Sequence, residues 1–227
     1  MKRITKWGEP ASLVEHRARG DSYDDLSSDT KDKLRNSLFE EQGYICCYCM
    51  RRIPVTLTQE QINQNYPSNK IEHSRCQARY VSLELTYRNL LIACHGNHGL
   101  PPQMQTCDTF KGDKDLSINP ADTQRNIEDL IKYKANGEIY SDDTQINAEL
   151  SEILNLNAED LLGIREVFYK EIQSRIILEG KRRKGKDIQK KFYETEKRKL
   201  LEKKNGRFIP YCMVGVYLIN KKLAKLP

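Results

Sequence analysis

The chain has 227 residues, 31% of them charged, and a mean hydropathy of -0.74, enough for one substantial domain or two small ones. No apolar run approaches the ~20 residues of a membrane span, and the opening MKRITKWGEP lacks a signal peptide's apolar stretch, so membrane-spanning roles are excluded and a cytoplasmic protein is expected. The net charge of +6 hides an asymmetry: residues 165–227 hold 19 Lys/Arg against 7 Asp/Glu, and residues 1–164 hold 19 against 25, a basic tail that suits a polyanion partner or a solvated helix face.

In chain order, the stretch to about Ser28 has little periodicity and reads as an arm packed on the body, with Trp7 packing it and His16 in a surface or packing role. Leu34, Leu38 and Phe39 have helical spacing, and Gly43 is placed to close a helix near 30–42 that runs into YICCYCMRRI. Residues 54–69 are polar and fit a short helix or a loop. KIEH (70–73) reads as a strand end, and NLLIAC (89–94) as a strand or the start of a buried turn. HGNHGLPPQM (95–104) is a loop, and LSINP (116–120) closes the central block.

Beyond Pro120 the chain reads as helical. Leu161, Val167 or Phe168, Ile172 and Ile176 fall near helical spacing, KRRKGKD (181–187) interrupts as a basic hinge, and Ile188, Phe192 and Leu200 continue on a second basic helix. PYCMVGVYLIN (210–220) is apolar enough to dock on the core as either helix or strand.

The seven cysteines are an odd number in a chain without an export signal, which favours metal binding or plain burial over a disulfide framework. Cys46-x-x-Cys49 follows a helix and a glycine, the knuckle arrangement in which two thiolates reach one tetrahedral zinc. Two buried cysteines or a redox pair would give the same spacing. Cys94 and Cys107 flank the loop 95–106, and folding it back would complete a four-cysteine zinc site. Cys47, Cys76 and Cys212 read as small buried side chains.

Between these pairs lie Glu72-His73 and Asn89, and Asp108 follows the last cysteine. These are the parts of a one-metal nuclease. The histidine deprotonates water, a divalent cation on the carboxylates stabilises the phosphorane and the leaving 3′ oxygen, and the asparagine orients the histidine's loop. Singly, each has a plainer account: a structural histidine, a turn asparagine, an N-cap aspartate in TCDTFKG. Arg75, Arg79 and Arg88 suit phosphate contacts or surface salt bridges, and the Lys/Arg run 181–204 suits a backbone grip or a partner's acidic face.

The order C46-x-x-C49, E72-H73, N89-L-L-I-A-C94, C107-D108-x-x-K111-G112 resembles the HNH endonucleases over roughly residues 43–113, about a third of the chain. More narrowly, E-P-x-S-L at 9–13, Q-G-Y-I-C-C-Y-C at 42–49, C-D-T-F-K-G-D at 107–113 and L-N-L-N at 154–157 look like the PtuB-like HNH subunit of Septu-type anti-phage systems.

The resemblance implies an α+β, mostly helical fold: an N-terminal arm (1–29), a ββα-metal core with a zinc knuckle (30–120) and a helical, basic region (121–227). It makes His73 the general base, with Asn89 beside it, and places Glu72 and Asp108 on a catalytic Mg2+ or Mn2+. Asp108 stands where the family usually has Asn or His, at the start of a helix with Lys111 in its first turn; two carboxylates suit a hard ion. Cys46, Cys49, Cys94 and Cys107 would hold structural Zn2+, and Arg75, Arg88 and Lys111 would contact substrate. The family's second C-x-x-C is here stretched by His95–Thr106, so His95 or His98 is an alternative zinc ligand.

The implied partners are an SMC/ABC-like (PtuA-like) ATPase subunit, a nucleic acid substrate and, in some relatives, a retron reverse transcriptase with its DNA or RNA. Water as nucleophile needs no 2′-hydroxyl, so DNA is the expected substrate and RNA is also accessible. The rivals are an inert zinc scaffold or nucleic-acid-binding module, and a thiol redox protein using Cys46 and Cys49.

Overall fold

The computed structural model describes residues 1–55 and 69–226; the expected helix or loop at 54–69 falls, over 56–68, outside the described residues. The fold is α+β and mostly helical, with two small antiparallel sheets. Among the described residues no helix is long and apolar enough to cross a membrane.

The arm is more structured than its weak periodicity suggests. It carries helix α1 (Ala11–Ala18), and Met1, Ile4 and Leu13 are buried. A buried ion pair, Lys6–Glu41 at 2.9 Å, pins it to the following helix, and Glu41 also accepts from the Trp7 backbone N–H at 2.7 Å. The Trp7 ring, expected to pack the arm, is instead 61% exposed, beneath the Lys203 ammonium at 4.7 Å. The backbone, not the indole, anchors this segment. His16 takes the packing role, 2% exposed and hydrogen-bonded to the Ser22 carbonyl at 2.8 Å.

Helix α2 (Ser28–Gln42) is capped as its sequence demands. The Ser27 hydroxyl accepts from the Thr30 N–H, and Gly43 closes the helix in the left-handed region at φ 57°. Leu34, Leu38 and Phe39 face the core. Gln42, the last residue, behaves like a strand neighbour: its amide pairs with the Ile92 backbone in both directions, at 2.7 and 2.8 Å.

Strands β1 (Asn69–His73) and β2 (Leu90–Cys94) pair antiparallel, with Asn69 opposite Cys94 and His73 opposite Leu90. All of β2 is buried, which accounts for its unbroken apolar sequence. Loop 95–106 returns the chain to a one-turn helix α3 (Cys107–Lys111). Strand, strand and short helix thus follow one another, with the 46–49 turn bonded to β2 through Cys47 N–H to Ile92 O at 3.1 Å.

Beyond Pro120 the chain is not uniformly helical. After α4 (Ile127–Leu130) comes a hairpin of β3 (Lys132–Tyr133) and β4 (Ile139–Tyr140). Asn136-Gly137 makes its turn, and Gly137 has φ +81° where a Cβ would meet the Leu162 carbonyl at 2.1 Å. An Asn-Gly between IKY and EIY is a strong local hairpin signal that the helical reading overlooked. Helix α5 (Thr144–Ala148) continues as a π-helical turn, Glu149–Ile153.

The L-N-L-N stretch then divides its labour by residue type. Leu154 and Leu156 are fully buried, Asn155 donates to the Gln103 and Gln105 carbonyls, and Asn157 bonds to Ile139.

Helices α6 (Glu159–Arg182) and α7 (Lys186–Leu201) break at the basic hinge, where Gly185 has φ +100°. The apolar C-terminal stretch is helix α8 (Cys212–Leu223). It packs against α6 and α7 so closely that a Cβ on Gly215 would lie 2.7 Å from Leu200 Cδ1. Its buried Val214, Val216, Leu218 and Ile219 each contribute on the order of 1.5–3 kcal/mol.

Candidate metal centre and the adjoining acid–base cluster

The sulfurs of Cys46, Cys49, Cys94 and Cys107 all lie within 4.8 Å of one another, every one buried. Neighbouring pairs are 3.7–3.9 Å apart, too long for a disulfide. Four ligands at a Zn–S distance of about 2.3 Å sit at tetrahedral corners about 3.8 Å apart, so the donor set fits a Zn2+ ion. Charge points the same way. Burial alone would push the Cys46 thiol up, but hydrogen bonds from Cys107 and its other sulfur neighbours bring it well below the usual thiol value. Those same bonds, with burial, push Cys107 well above it. Cys46 and Cys107 thus compete for negative charge, which a cation among the sulfurs would stabilise.

The 46–49 knuckle is a tight reversal. Cys46 N–H donates to the Arg51 carbonyl, Met50 N–H donates back to Cys46, and Met50 sits at φ 63°. Arg51 N–H points at Cys49 Sγ, 3.4 Å away, while its guanidinium bonds Asp160 of α6 and, at 3.3 Å, Asn97 of the long loop. That loop closes on itself through Thr106 N–H to Gly96 O at 2.9 Å. A Cβ on Gly96 (φ +58°) would lie 2.0 Å from the Thr106 carbonyl, so glycine is required there. Neither His95 nor His98 belongs to the four-sulfur group. His95 instead organises the backbone: its ring accepts from the His98 N–H at 3.2 Å, and its carbonyl accepts from the Thr109 hydroxyl at 2.7 Å. Cys47, Cys76 and Cys212 are buried outside the group, and burial raises the Cys212 thiol to about 11.

Beside this centre, Glu72 is 2% exposed at the end of β1. Its Oε1 accepts from the Tyr48 hydroxyl at 2.6 Å and from the Lys111 ammonium at 2.8 Å. Burial, followed by interaction with Asp108, holds the Glu72 carboxyl well above the usual range, and Lys111 only partly offsets this. Asp108, in the first turn of α3, is partly exposed, with the Lys70 ammonium 3.5 Å away. Glu72 and Asp108 thus interact directly, one at the end of β1 and the other at the start of α3. Glu72, His73 and Asp108 are not gathered as tightly as the four sulfurs.

Lys111 stands apart from its expected place at the substrate. Its side chain is 1% exposed, in the ion pair with Glu72 and donating to the His73 carbonyl at 3.1 Å. Helix α3 is a single turn, so its last residue turns back onto β1 rather than outward.

His73 is buried, its Nε2 3.0 Å from the Glu84 carbonyl and the Tyr23 ring edge-on at 4.5 Å. A carbonyl only accepts, so Nε2 carries the proton and Nδ1 keeps its lone pair. Burial lowers the imidazole below its ordinary value, favouring the neutral ring. Asn89 pins the loop after His73: Oδ1 accepts from the Arg75 N–H at 2.7 Å, and Nδ2 donates to the Arg75 and Leu83 carbonyls at 3.0 and 3.1 Å.

Of the three arginines, Arg79 is engaged with Asp115 at 3.0 Å and the Asp113 carbonyl. Arg75 is half-exposed, 3.9 Å from Asp115, and Arg88 is exposed with no ion pair among the described residues. In the basic run, Lys203 caps α2 through the Glu40 and Glu41 carbonyls, Arg183 pairs with Glu179, and Lys199 pairs with Glu196.

Sequence reasoning missed Tyr48 and Tyr23. Cysteine spacing carries no sign of Tyr48, which reaches Glu72 only through the knuckle's docking on β2, and Tyr23 reaches His73 only because the arm folds back. No family model matches the chain, and no curated protein matches it.

Proposed function

We propose that the chain is a metal-dependent endonuclease of the HNH type, hydrolysing phosphodiester bonds as the nuclease subunit of an anti-phage complex with an SMC/ABC-like ATPase. The observation that carries the reading is the joint placement of His73, Glu72 and Asp108 on a strand–strand–helix unit whose ends meet at the four-cysteine centre. The zinc site supplies rigidity rather than chemistry, since four sulfurs leave no open position. The place of the complex in defence rests on the resemblance of the motifs.

Glu72 and Asp108 would hold the divalent ion, which when bound draws charge from the scissile phosphate and the leaving 3′ oxygen. Neutral His73, fixed by its Nε2–H bond to Glu84, presents Nδ1 as proton acceptor. Water loses a proton to Nδ1, its oxygen bonds phosphorus, the P–O3′ bond breaks, and the 3′ oxygen gains a proton. The products are a 5′-phosphate and a 3′-hydroxyl. Lys111 keeps Glu72 anchored to the strand backbone, and Asn89 keeps the histidine's loop in one conformation.

The test is cleavage of DNA and RNA by the chain with its co-purified operon partners, with Mg2+ or Mn2+, for wild type and His73→Ala. Loss of cleavage in the variant at unchanged zinc content is expected. Equal behaviour of the two proteins would favour the rival reading, an inert zinc scaffold. The thiol redox reading is disfavoured by the single centre that collects Cys46 and Cys49 with two further sulfurs.

A further inference from the structure

Next to His73 the surface opens into a cleft of about 320 Å3 between the loop after β1 and the segment 116–123. Ser74, which follows His73 in the chain, lines it together with Arg75 and Arg88. Leu116, Ile118 and Ala121 supply apolar lining, and Asn119 and Asp122 supply polar lining. Cationic, apolar and polar groups in one cleft match what a nucleotide presents: a phosphate, a base face and a base edge.

We propose that this cleft takes a single unpaired nucleotide next to the scissile phosphate, its phosphate on Arg75 and Arg88 and its base against Ile118 and Ala121. The inference deepens the endonuclease reading and rests on it for the position of the scissile bond, but the binding itself needs no cleavage.

Three observations support it. First, Arg88 is exposed and free of any ion pair among the described residues, whereas Arg75 makes one long ion pair, to Asp115 at 3.9 Å, and lies 5.7 Å from the Tyr80 ring centroid. Arg88 can therefore take a phosphate outright, and Arg75 is held more loosely than Arg79, whose ion pair is 3.0 Å. Second, Asn89 grips the Arg75 backbone on both sides, N–H and carbonyl, so this arginine is held at a fixed offset from His73. Third, a base in a duplex is stacked between its neighbours and cannot enter a cleft of this size, whereas an unpaired or extruded base can. The site therefore selects single strands, loops or flipped bases over regular duplex.

The experiment is fluorescence anisotropy of a labelled single-stranded oligonucleotide and its duplex, with the zinc-loaded chain in buffer without added Mg2+ or Mn2+. Wild type is expected to bind the single strand at least fivefold more tightly than the duplex. Arg75→Ala/Arg88→Ala is expected to weaken single-strand binding about tenfold or more and to lower the slope of log K against log salt by about 1.4, two contacts' worth for a single strand. Thr123→Trp, at the exposed rim, is expected to obstruct the cleft and reduce single-strand binding while leaving duplex binding unchanged. Circular dichroism and zinc content of each variant separate these effects from unfolding.

Equal affinity for single strand and duplex, or a folded double-arginine variant that binds like wild type, overturns the proposal. Should cleavage persist in that case, the endonuclease reading survives alone. Should binding behave as expected while no partner or metal elicits cleavage, the cleft stands and the nuclease reading falls.

Discussion

The structure makes its sharpest energetic statement at Asn89. The side chain is buried and spends all its geometry on backbone: one bond accepted from Arg75 N–H and two donated, to Arg75 O and Leu83 O. Asn89→Ala removes the three bonds together and leaves one donor and two acceptors to find water. At about 1 kcal/mol net per bond the cost is about 3 kcal/mol, a large share of the roughly 5–15 kcal/mol that holds a domain together. Asn89→Asp is the informative partner. It keeps the acceptor but turns an oxygen toward two carbonyls, and a proton on the new carboxyl restores one donor. Its cost is therefore larger at pH 8 than at pH 5, whereas that of Asn89→Ala is flat. Urea unfolding at both pH values measures this, and hydrogen exchange locates it: the Arg75 amide is expected to lose protection first. An Asn89→Ala loss within about 0.5 kcal/mol of zero, or the same pH profile for both variants, would refute the claim that this residue holds the histidine's loop.

The four-sulfur centre predicts one zinc per chain by elemental analysis. Zinc binding in small metal sites is worth about 10–16 kcal/mol, so stripping it is expected to unfold at least the region around 43–113; a metal-free chain with unchanged cooperative unfolding would contradict the assignment. Lys111→Met strips Glu72 of its ammonium and is expected to cost about 3–5 kcal/mol at pH 8. The sign follows from Glu72, whose folded pKa is raised by burial: ionising it costs more in the folded than in the unfolded chain, so stability is lost as pH rises, and losing Lys111 raises that pKa further. The deficit in urea unfolding should shrink at pH 5, and a deficit that grows on acidification would refute the pairing. Gly96→Ala meets a fixed carbonyl in a left-handed conformation that itself costs about 1–2 kcal/mol; weaker retention of zinc against a competing chelator is the expected readout, because the loop positions Cys107.

How much of this was readable beforehand depended on the range of the interaction. Helix α2 announced itself through Leu34, Leu38, Phe39 and Gly43, and the strands through their apolar run, because those signals are local. The cysteine pairs were readable because tetrahedral coordination imposes recognisable spacing even across a long loop. Lys111 was misjudged because its direction depends on how soon α3 ends, which spacing does not encode. Tyr48 and Tyr23 meet the acid–base cluster only through docking of distant segments. The 132–140 hairpin was readable in Asn136-Gly137, but the helical periodicity downstream drew the whole region into one assignment. Trp7 reversed the usual expectation for a large aromatic because its arm is held by Lys6 and by backbone.

The zinc ligands also set a distance. Cys94 ends the strand paired with β1, which carries Glu72, and Cys107 immediately precedes Asp108. Whatever lies between the two cysteines, their common metal would act as a gauge that fixes how far apart the two carboxylates stand. The exposed tip of the intervening loop, residues 99–102, can then vary in length or carry an inserted tag, provided the Gly96–Thr106 closure and the ties at His95, Asn97, Gln103 and Gln105 are kept. The stretch that sets the two cysteines far apart in sequence thus leaves the spacing of the two carboxylates untouched.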